Sequence, residues 1–128
     1  LKKTLLPVYD TAISTLFRDL ADRGRLDKTL VVVTGEFGRT PRINKNAGRD
    51  HWGSAFSVVV GGGGIKPGIV VGKTDARAEK PSSDPYGPED LFATMMNSLG
   101  INPKGEFHMP DGRPVGIVNN GRIISELV

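Results

Sequence analysis

The residues with the most reactive side chains lie in two short motifs in the first half of the chain. The first motif is Gly35-Glu-Phe-Gly-Arg-Thr-Pro41, and the second is Gly48-Arg-Asp-His-Trp52. The apolar run at 30–34 leads directly into the first motif and predicts a buried strand. Because α/β enzymes build their sites where strands end, we expect the functional site in residues 35–52.

Three of these residues are candidate metal ligands. Glu36 follows the predicted strand, where its carboxylate would reach a ligand or a metal ion. Asp50 and His51 form an oxygen-plus-nitrogen pair of the kind that binds zinc, manganese or iron. Two plainer interpretations stay open: Glu36 as a surface glutamate in a turn, and His51 as a hydrogen-bonded structural residue.

Three arginines in the same segment, Arg39, Arg42 and Arg49, point to an anionic substrate. The planar guanidinium fork matches the oxygens of phosphate or sulfate, so such a cluster is typical of an oxyanion site. The alternative is a solvated loop face, or salt bridges from the arginines to Glu36 and Asp50.

Two other features predict structure rather than chemistry. The four glycines at 61–64 lack the Gly-Lys-Ser/Thr ending of a phosphate-binding loop, so they predict a flexible turn after a strand. His108 lies between Pro103 and Pro110 and is interpreted as a surface histidine.

Composition excludes several classes of protein. The chain has 128 residues and a net charge of +3, but its 17 basic and 14 acidic residues are interspersed, so no nucleic-acid partner is expected. It has no cysteine, which excludes disulfides, thiolate zinc sites and a cysteine nucleophile. No apolar run approaches the roughly 20 residues of a membrane span, so none is expected.

The elements that must position these residues alternate between helix and strand. Apolar residues at steps of three and four predict a helix at about 7–23, which ends at Gly24. The run at 30–34 shows no polar alternation, which is typical of a strand in a parallel sheet. Pro88 and the acidic residues after it predict the start of a second helix, which ends at Gly100. Further strands are predicted at 56–60, 69–71, 115–118 and 122–124, with loops at 38–54 and 73–87.

The order of these segments, together with the two motifs and the sequence Pro-Glu-Asp-Leu-Phe-Ala-Thr-Met at 88–95, resembles the C-terminal part of sulfatases. Those enzymes belong to the alkaline phosphatase superfamily. The two motifs are more closely similar to those of an uncharacterised, exported, sulfatase-like family of bacterial proteins. The resemblance implies the C-terminal portion of an alkaline-phosphatase-like three-layer α/β/α fold with a mostly parallel sheet. Residues 1–128 are then a single α/β domain or the C-terminal part of a larger sulfatase-like domain.

The resemblance also implies an activity, the metal-dependent hydrolysis of sulfate or phosphate esters with a divalent zinc, manganese or calcium ion. It makes Glu36, Asp50 and His51 metal ligands. Residues Arg39, Thr40 and Arg49 would bind the substrate. Phe37 stands where the superfamily places a metal-binding histidine. The alternative is therefore a catalytically inactive module that binds anions or sulfated glycans.

The nucleophile of the superfamily lies in an N-terminal half that is not among these residues. We therefore expect the N-terminal part of the same parent protein to be a partner of this chain, and the chain alone to be inactive. The other expected partner is a sulfate or phosphate ester, including sulfated polysaccharide. An exported, periplasmic or extracellular location is implied by the resemblance only.

Overall fold

The computed structural model describes residues 2–128, which form two α-helices, one short 3-10 helix and three two-stranded antiparallel sheets. The helices are α1 (Leu5–Asp22), the 3-10 helix (Leu26–Lys28) and α2 (Pro88–Ser98). The strands pair as β1 (Val31–Val33) with β4 (Val59–Gly61), β2 (Gly38–Arg39) with β3 (His51–Trp52), and β5 (Glu106–His108) with β6 (Pro114–Gly116).

The predicted three-layer α/β/α fold with a mostly parallel sheet is wrong for this chain. The described residues contain no parallel pair, and β1 and β4 run antiparallel with Val31 opposite Gly61 and Val33 opposite Val59. A parallel pair needs a crossover connection, usually a helix. The segment between β1 and β4 instead contains the β2–β3 hairpin, which returns the chain in the opposite direction.

Both helices form where the sequence predicts them, because their end signals are local. At the end of α1, Gly24 has φ 62° and its N–H donates to the Ala21 carbonyl, while the Arg25 N–H donates to Leu20 over 2.8 Å. This pair of bonds satisfies carbonyls that the helix leaves without a partner. Helix α2 begins at Pro88 and is followed by Gly100, which has φ 75°.

Two of the predicted strands do not form. Residues 69–71 lie outside any strand, and Val70 is 94% exposed. Gly68 and Gly72, on either side of that run, both have positive φ and bend the backbone away from an extended path. In the other run, 122–124, the N–H groups of Arg122 and Ile124 donate to side chains of α2 rather than to a neighbouring strand. The prediction at 115–118 overlaps β6, whose partner β5 the sequence pattern does not predict.

The C-terminal tail is attached to α2 by two side chains. The Asp90 carboxylate accepts hydrogen bonds from the N–H groups of Gly87 and Arg122, both over 2.8 Å. The Thr94 hydroxyl donates to the Asp90 carbonyl and accepts the N–H of Ile124 over 2.9 Å. Thr94 is 2% exposed, so these bonds lie at the best-packed point of the chain. The buried residues of the described chain are few: Ile65, Ala93, Thr94, Pro103 and Ile124.

We predict that Asp90→Asn destabilises the protein in a pH-dependent way. Burial disfavours the charged form of Asp90, but the N–H groups of Arg122 and Gly87 and the Arg122 guanidinium outweigh it, so the pKa lies below its ordinary value. Near neutral pH the substitution should lower the free energy of unfolding by about 1–3 kcal/mol. A lowered pKa stabilises the folded state above the unfolded pKa, and this stabilisation disappears as the pH falls through the folded pKa.

The difference in free energy of unfolding between the unmodified protein and Asp90→Asn, measured by urea denaturation, should therefore become smaller as the pH falls below about 4. Asp10→Asn, on the exposed surface of α1, is the matched control and should leave the stability within about 0.5 kcal/mol. A gap that stays constant over the acidic range would contradict the assigned role of the Asp90 carboxylate.

Candidate functional site

The β2–β3 hairpin brings the two sequence motifs side by side. Gly38 lies opposite Trp52, and Arg39 lies opposite His51. The hairpin is anchored at its other side by Trp52, whose indole N–H donates to the carbonyl of Glu79 over 2.8 Å. The residues predicted to form one site are therefore neighbours, although a loop of eleven residues separates the two strands.

One face of this hairpin carries a cluster of aromatic and cationic groups, which we call the Arg39–His51 face and define as Phe37, Arg39 and His51. Residues directly opposite each other in a strand pair project to the same side, so Arg39 and His51 share a face. The rings of Phe37 and His51 are stacked, with centroids 3.9 Å apart and planes 27° apart. The Arg39 guanidinium carbon lies 5.6 Å from the centroid of the Phe37 ring. Phe37 therefore packs against the imidazole of His51, and its correspondence to a metal-binding histidine of the superfamily stays a prediction.

The arginines of the site are held by backbone carbonyls. Arg39 Nη1 donates to the carbonyl of Arg49 over 3.3 Å, and Arg49 Nη1 donates to the carbonyl of Thr40 over 2.6 Å and to that of Pro41. Within residues 2–128 no salt bridge involves Arg39 or Arg49. The interpretation that these two arginines pair with Glu36 and Asp50 is therefore wrong, and neither arginine has a carboxylate partner among the described residues.

The loop between the two strands is organised by Asn44. Its side-chain oxygen accepts the N–H groups of Asn46 and Gly48, both over 3.0 Å, and its Nδ2 donates to Asp50 Oδ1 over 2.8 Å. The Thr40 hydroxyl closes the same loop, because it accepts the Asp50 N–H and donates to the carbonyl of Arg42. Thr40 thus serves the loop itself in this arrangement. No prediction from the sequence names Asn44, although an asparagine whose side chain bonds the backbone two residues further on is a recognised turn signal.

The three predicted metal ligands do not converge in the described residues. Asp50 accepts a hydrogen bond from Asn44, whereas the His51 ring is stacked on Phe37. Glu36 is exposed in the turn after β1. No group of three histidine or carboxylate side chains in residues 2–128 is placed to hold a metal ion. These residues alone therefore do not fit zinc, manganese or calcium, and their metal-binding role stays a prediction for the complete protein.

An open groove of about 440 Å³ begins at the Arg39–His51 face. Phe37, Arg39 and Phe56 line it together with Thr74 and Ala78 of the loop at 73–83. The sequence pattern predicts only a surface loop at 73–83. No residue type or spacing within that loop indicates that it lies next to the hairpin.

His108 and the glycines at 61–64, which the sequence predicts to have structural roles, lie in a strand and in a turn. His108 is exposed in β5, where it pairs with Pro114. Gly62, Gly63 and Gly64 have positive φ in a turn directly after β4, as predicted. No helix within residues 2–128 has the length and apolar character that crossing a membrane requires.

Family membership follows from comparison with known proteins. A family model described as a protein of unknown function, DUF1501, matches residues 1–128. The chain belongs to this family. Comparison with curated proteins gave no match, and comparison with solved structures gave none. Because the DUF1501 description names no activity, the resemblance to sulfatases stays a prediction and the geometry of the site must carry the functional proposal.

We predict that Asn44→Ala in this DUF1501 chain loosens the loop that presents Asp50. The substitution removes the acceptor of the Gly48 N–H, and a hydrogen bond of this kind stabilises by about 1 kcal/mol. Amide exchange at Gly48, measured by NMR, should become roughly five-fold faster. Asn46→Ala is the matched control, because Asn46 enters the loop through its backbone N–H. Unchanged exchange at Gly48 in the Asn44→Ala variant would show that Asn44 does not organise the loop.

Proposed function

We propose that this chain binds the sulfate or phosphate group of an ester at the Arg39–His51 face, as the anion-binding part of a sulfatase- or phosphatase-like, metal-dependent hydrolase. The observation that carries the proposal is the absence, within residues 2–128, of a carboxylate partner for Arg39 and Arg49. Arginines without a carboxylate partner attract an anion, and their planar donors fit a tetrahedral oxyanion.

Most N–H groups of the Arg39 guanidinium make no hydrogen bond to a described residue. A guanidinium carries five N–H groups, and among the described residues Arg39 uses one of them on the carbonyl of Arg49. That bond, together with the nearby Phe37 ring, orients the side chain before a ligand arrives. A preorganised donor loses less conformational entropy on binding than a freely rotating one.

His51 adds a second group on the same face. Its ring is stacked against Phe37, and an imidazole N–H donates hydrogen bonds. In hydrolysis, Arg39 would stabilise the negative charge that develops on the transferred sulfuryl or phosphoryl group. The nucleophile, and any metal ligands besides Glu36, Asp50 and His51, would come from another part of the protein, and we assign no bond-breaking step to this chain.

The proposal predicts that Arg39→Gln weakens sulfate and phosphate binding. Losing one charge-assisted hydrogen bond should reduce the affinity about 10- to 100-fold. Isothermal titration calorimetry with sodium sulfate and with sodium phosphate measures this change. Arg18→Gln, which removes an exposed arginine from α1, is the matched control and should bind both anions like the unmodified protein. Equal losses in the two variants would indicate a general effect of net charge and contradict a site at Arg39.

The second candidate function is a module without catalysis that binds sulfated polysaccharide. Two observations favour this candidate: the Phe37 ring packs against His51, and no three histidine or carboxylate side chains of residues 2–128 are placed to hold a metal ion. The two functions differ in metal content and turnover of the complete protein. A stoichiometric divalent metal ion with turnover of aryl sulfate or aryl phosphate would support the hydrolase. A metal-free protein that binds sulfated polysaccharide without turnover would support the module.

A further inference from the structure

The open groove beside Arg39 has a lining suited to one kind of organic group. Its volume of about 440 Å³ lies in the range of sites that bind small molecules. Two phenylalanines and two alanines contribute most of its side chains, and the polar ones are Arg39, Ser57 and Thr74. Among the described residues that line the groove there is no aspartate, glutamate, asparagine or glutamine. The lining therefore offers apolar surface, two hydroxyl groups and one guanidinium.

Phe56 is the aromatic side chain of the groove that is open to a ligand. The Phe37 ring is already stacked against the imidazole of the Arg39–His51 face, whereas Phe56 is 41% exposed. Gly38 brings Phe56 close to β2, because a Cβ on that glycine would overlap the backbone before Phe56 and come within 3.1 Å of its Cβ. Phe56 therefore lies against the strand that carries Arg39.

Another wall of the groove is a turn that holds Ala78 in an unusual conformation. Ala78 has φ 56°, a left-handed backbone that costs free energy in a residue other than glycine. The Asp75 carboxylate stabilises the turn, because it accepts two of its N–H groups over 2.9 and 3.1 Å. Trp52 ties the turn to β3 through the carbonyl of Glu79. These bonds hold Ala78 at the groove before a ligand binds.

We propose that this groove binds the organic group of the ester and selects an aromatic ring over a sugar ring. The inference rests on the proposed function, since it takes the sulfate or phosphate group of the same ester to lie at Arg39. Phe56 packs against the ring of the ligand, and the methyl group of Ala78 contacts the same ring. Aromatic rings attract one another beyond the effect of burying their apolar area. The substrate class of the site is then an aryl sulfate or an aryl phosphate.

The same lining disfavours a sugar ring. A sugar carries several hydroxyl groups, and each of them loses hydrogen bonds to water when it enters the groove. The neutral polar side chains of the groove are Ser57 and Thr74 only, while Arg39 is engaged by the anion. Hydroxyl groups without partners oppose binding, whereas a phenyl ring has no such group to desolvate. The groove therefore favours the ester hydrolase over the module that binds sulfated polysaccharide.

The test is isothermal titration calorimetry of the complete protein with three phosphonates, whose carbon–phosphorus bond an ester hydrolase does not cleave. Methylphosphonate reports the anion site alone, phenylphosphonate adds an aromatic ring, and the phosphonate analogue of glucose 6-phosphate adds a sugar. Phenylphosphonate should bind about 10-fold more tightly than methylphosphonate, because it adds an aromatic contact and buries apolar area. The sugar analogue should bind no more tightly than methylphosphonate.

Substitutions in the groove should change the preference for the phenyl group and leave the affinity for methylphosphonate unchanged. Phe56→Ala should reduce the preference to about 2-fold, whereas Phe56→Tyr should keep it. Phe107→Ala is the matched control, because it removes a phenylalanine that is 50% exposed in β5. Ala78→Gly is a variant that suits the fold, since glycine adopts φ 56° without strain. Losing that methyl group should weaken phenylphosphonate binding about 2- to 4-fold.

The outcomes separate failure of this inference from failure of the proposed function. Equal affinities for phenylphosphonate and methylphosphonate, or tighter binding of the sugar analogue than of phenylphosphonate, would overturn the aromatic site and leave the anion site in place. A phenyl preference that survives both Phe56→Ala and Ala78→Gly, or that Phe107→Ala reduces equally, would also overturn it. If Arg39→Gln leaves the affinity for methylphosphonate unchanged, the proposed function fails. If the unmodified protein binds none of the three phosphonates, both fail.

Discussion

The antiparallel pairing of β1 with β4 is the contact on which the arrangement of the N-terminal half depends. It places Val31 opposite Gly61 and Val33 opposite Val59, and so closes the segment between them into a loop. The turn after β4 then lies directly on the backbone before β1. A Cβ on Gly62 would come within 2.2 Å of the Thr29 carbonyl oxygen, so only glycine fits there, with φ 71°. Gly61, beside it, lets the Phe17 ring of α1 approach the sheet.

The loop closed by this pairing determines the chemistry of the site. Inside it the chain turns back once more, and the β2–β3 hairpin sets Arg39 opposite His51. Carbonyl groups hold the arginines, while Asn44 holds the Asp50 carboxylate at a different point of the loop. Positive and negative groups that are close in the sequence are thereby kept from neutralising one another. Among residues 2–128, Arg39 and Arg49 thus have no carboxylate partner, and no three histidine or carboxylate side chains are placed to hold a metal ion.

The C-terminal half is held by a different kind of contact, in which side chains of α2 accept hydrogen bonds from the backbone of the tail. Asp90 and Thr94 are one turn apart on α2, so both reach the segment at 122–124. Arg122 adds a salt bridge to Asp84 over 2.6 Å and lies over the ring of Tyr86, 4.7 Å from its centroid. These polar contacts attach the tail while burying little apolar surface. Among the described residues, Leu5, Val8, Tyr9 and Leu16 of α1 stay exposed.

The sequence alone determined the features that depend on a few neighbouring residues. It gave the two α-helices, because helix ends are set by Gly24, Pro88 and Gly100 within one turn of the chain. It also placed the turn at 61–64 and located the reactive residues in one segment. The direction of β4, the return of the loop at 73–83 to Trp52, and the capture of Arg122 by Asp90 were decided by the tertiary structure only. The physical reason is that strand direction and side-chain partners depend on contacts between residues far apart in the chain. A local pattern such as three valines is the same in a parallel and an antiparallel pair.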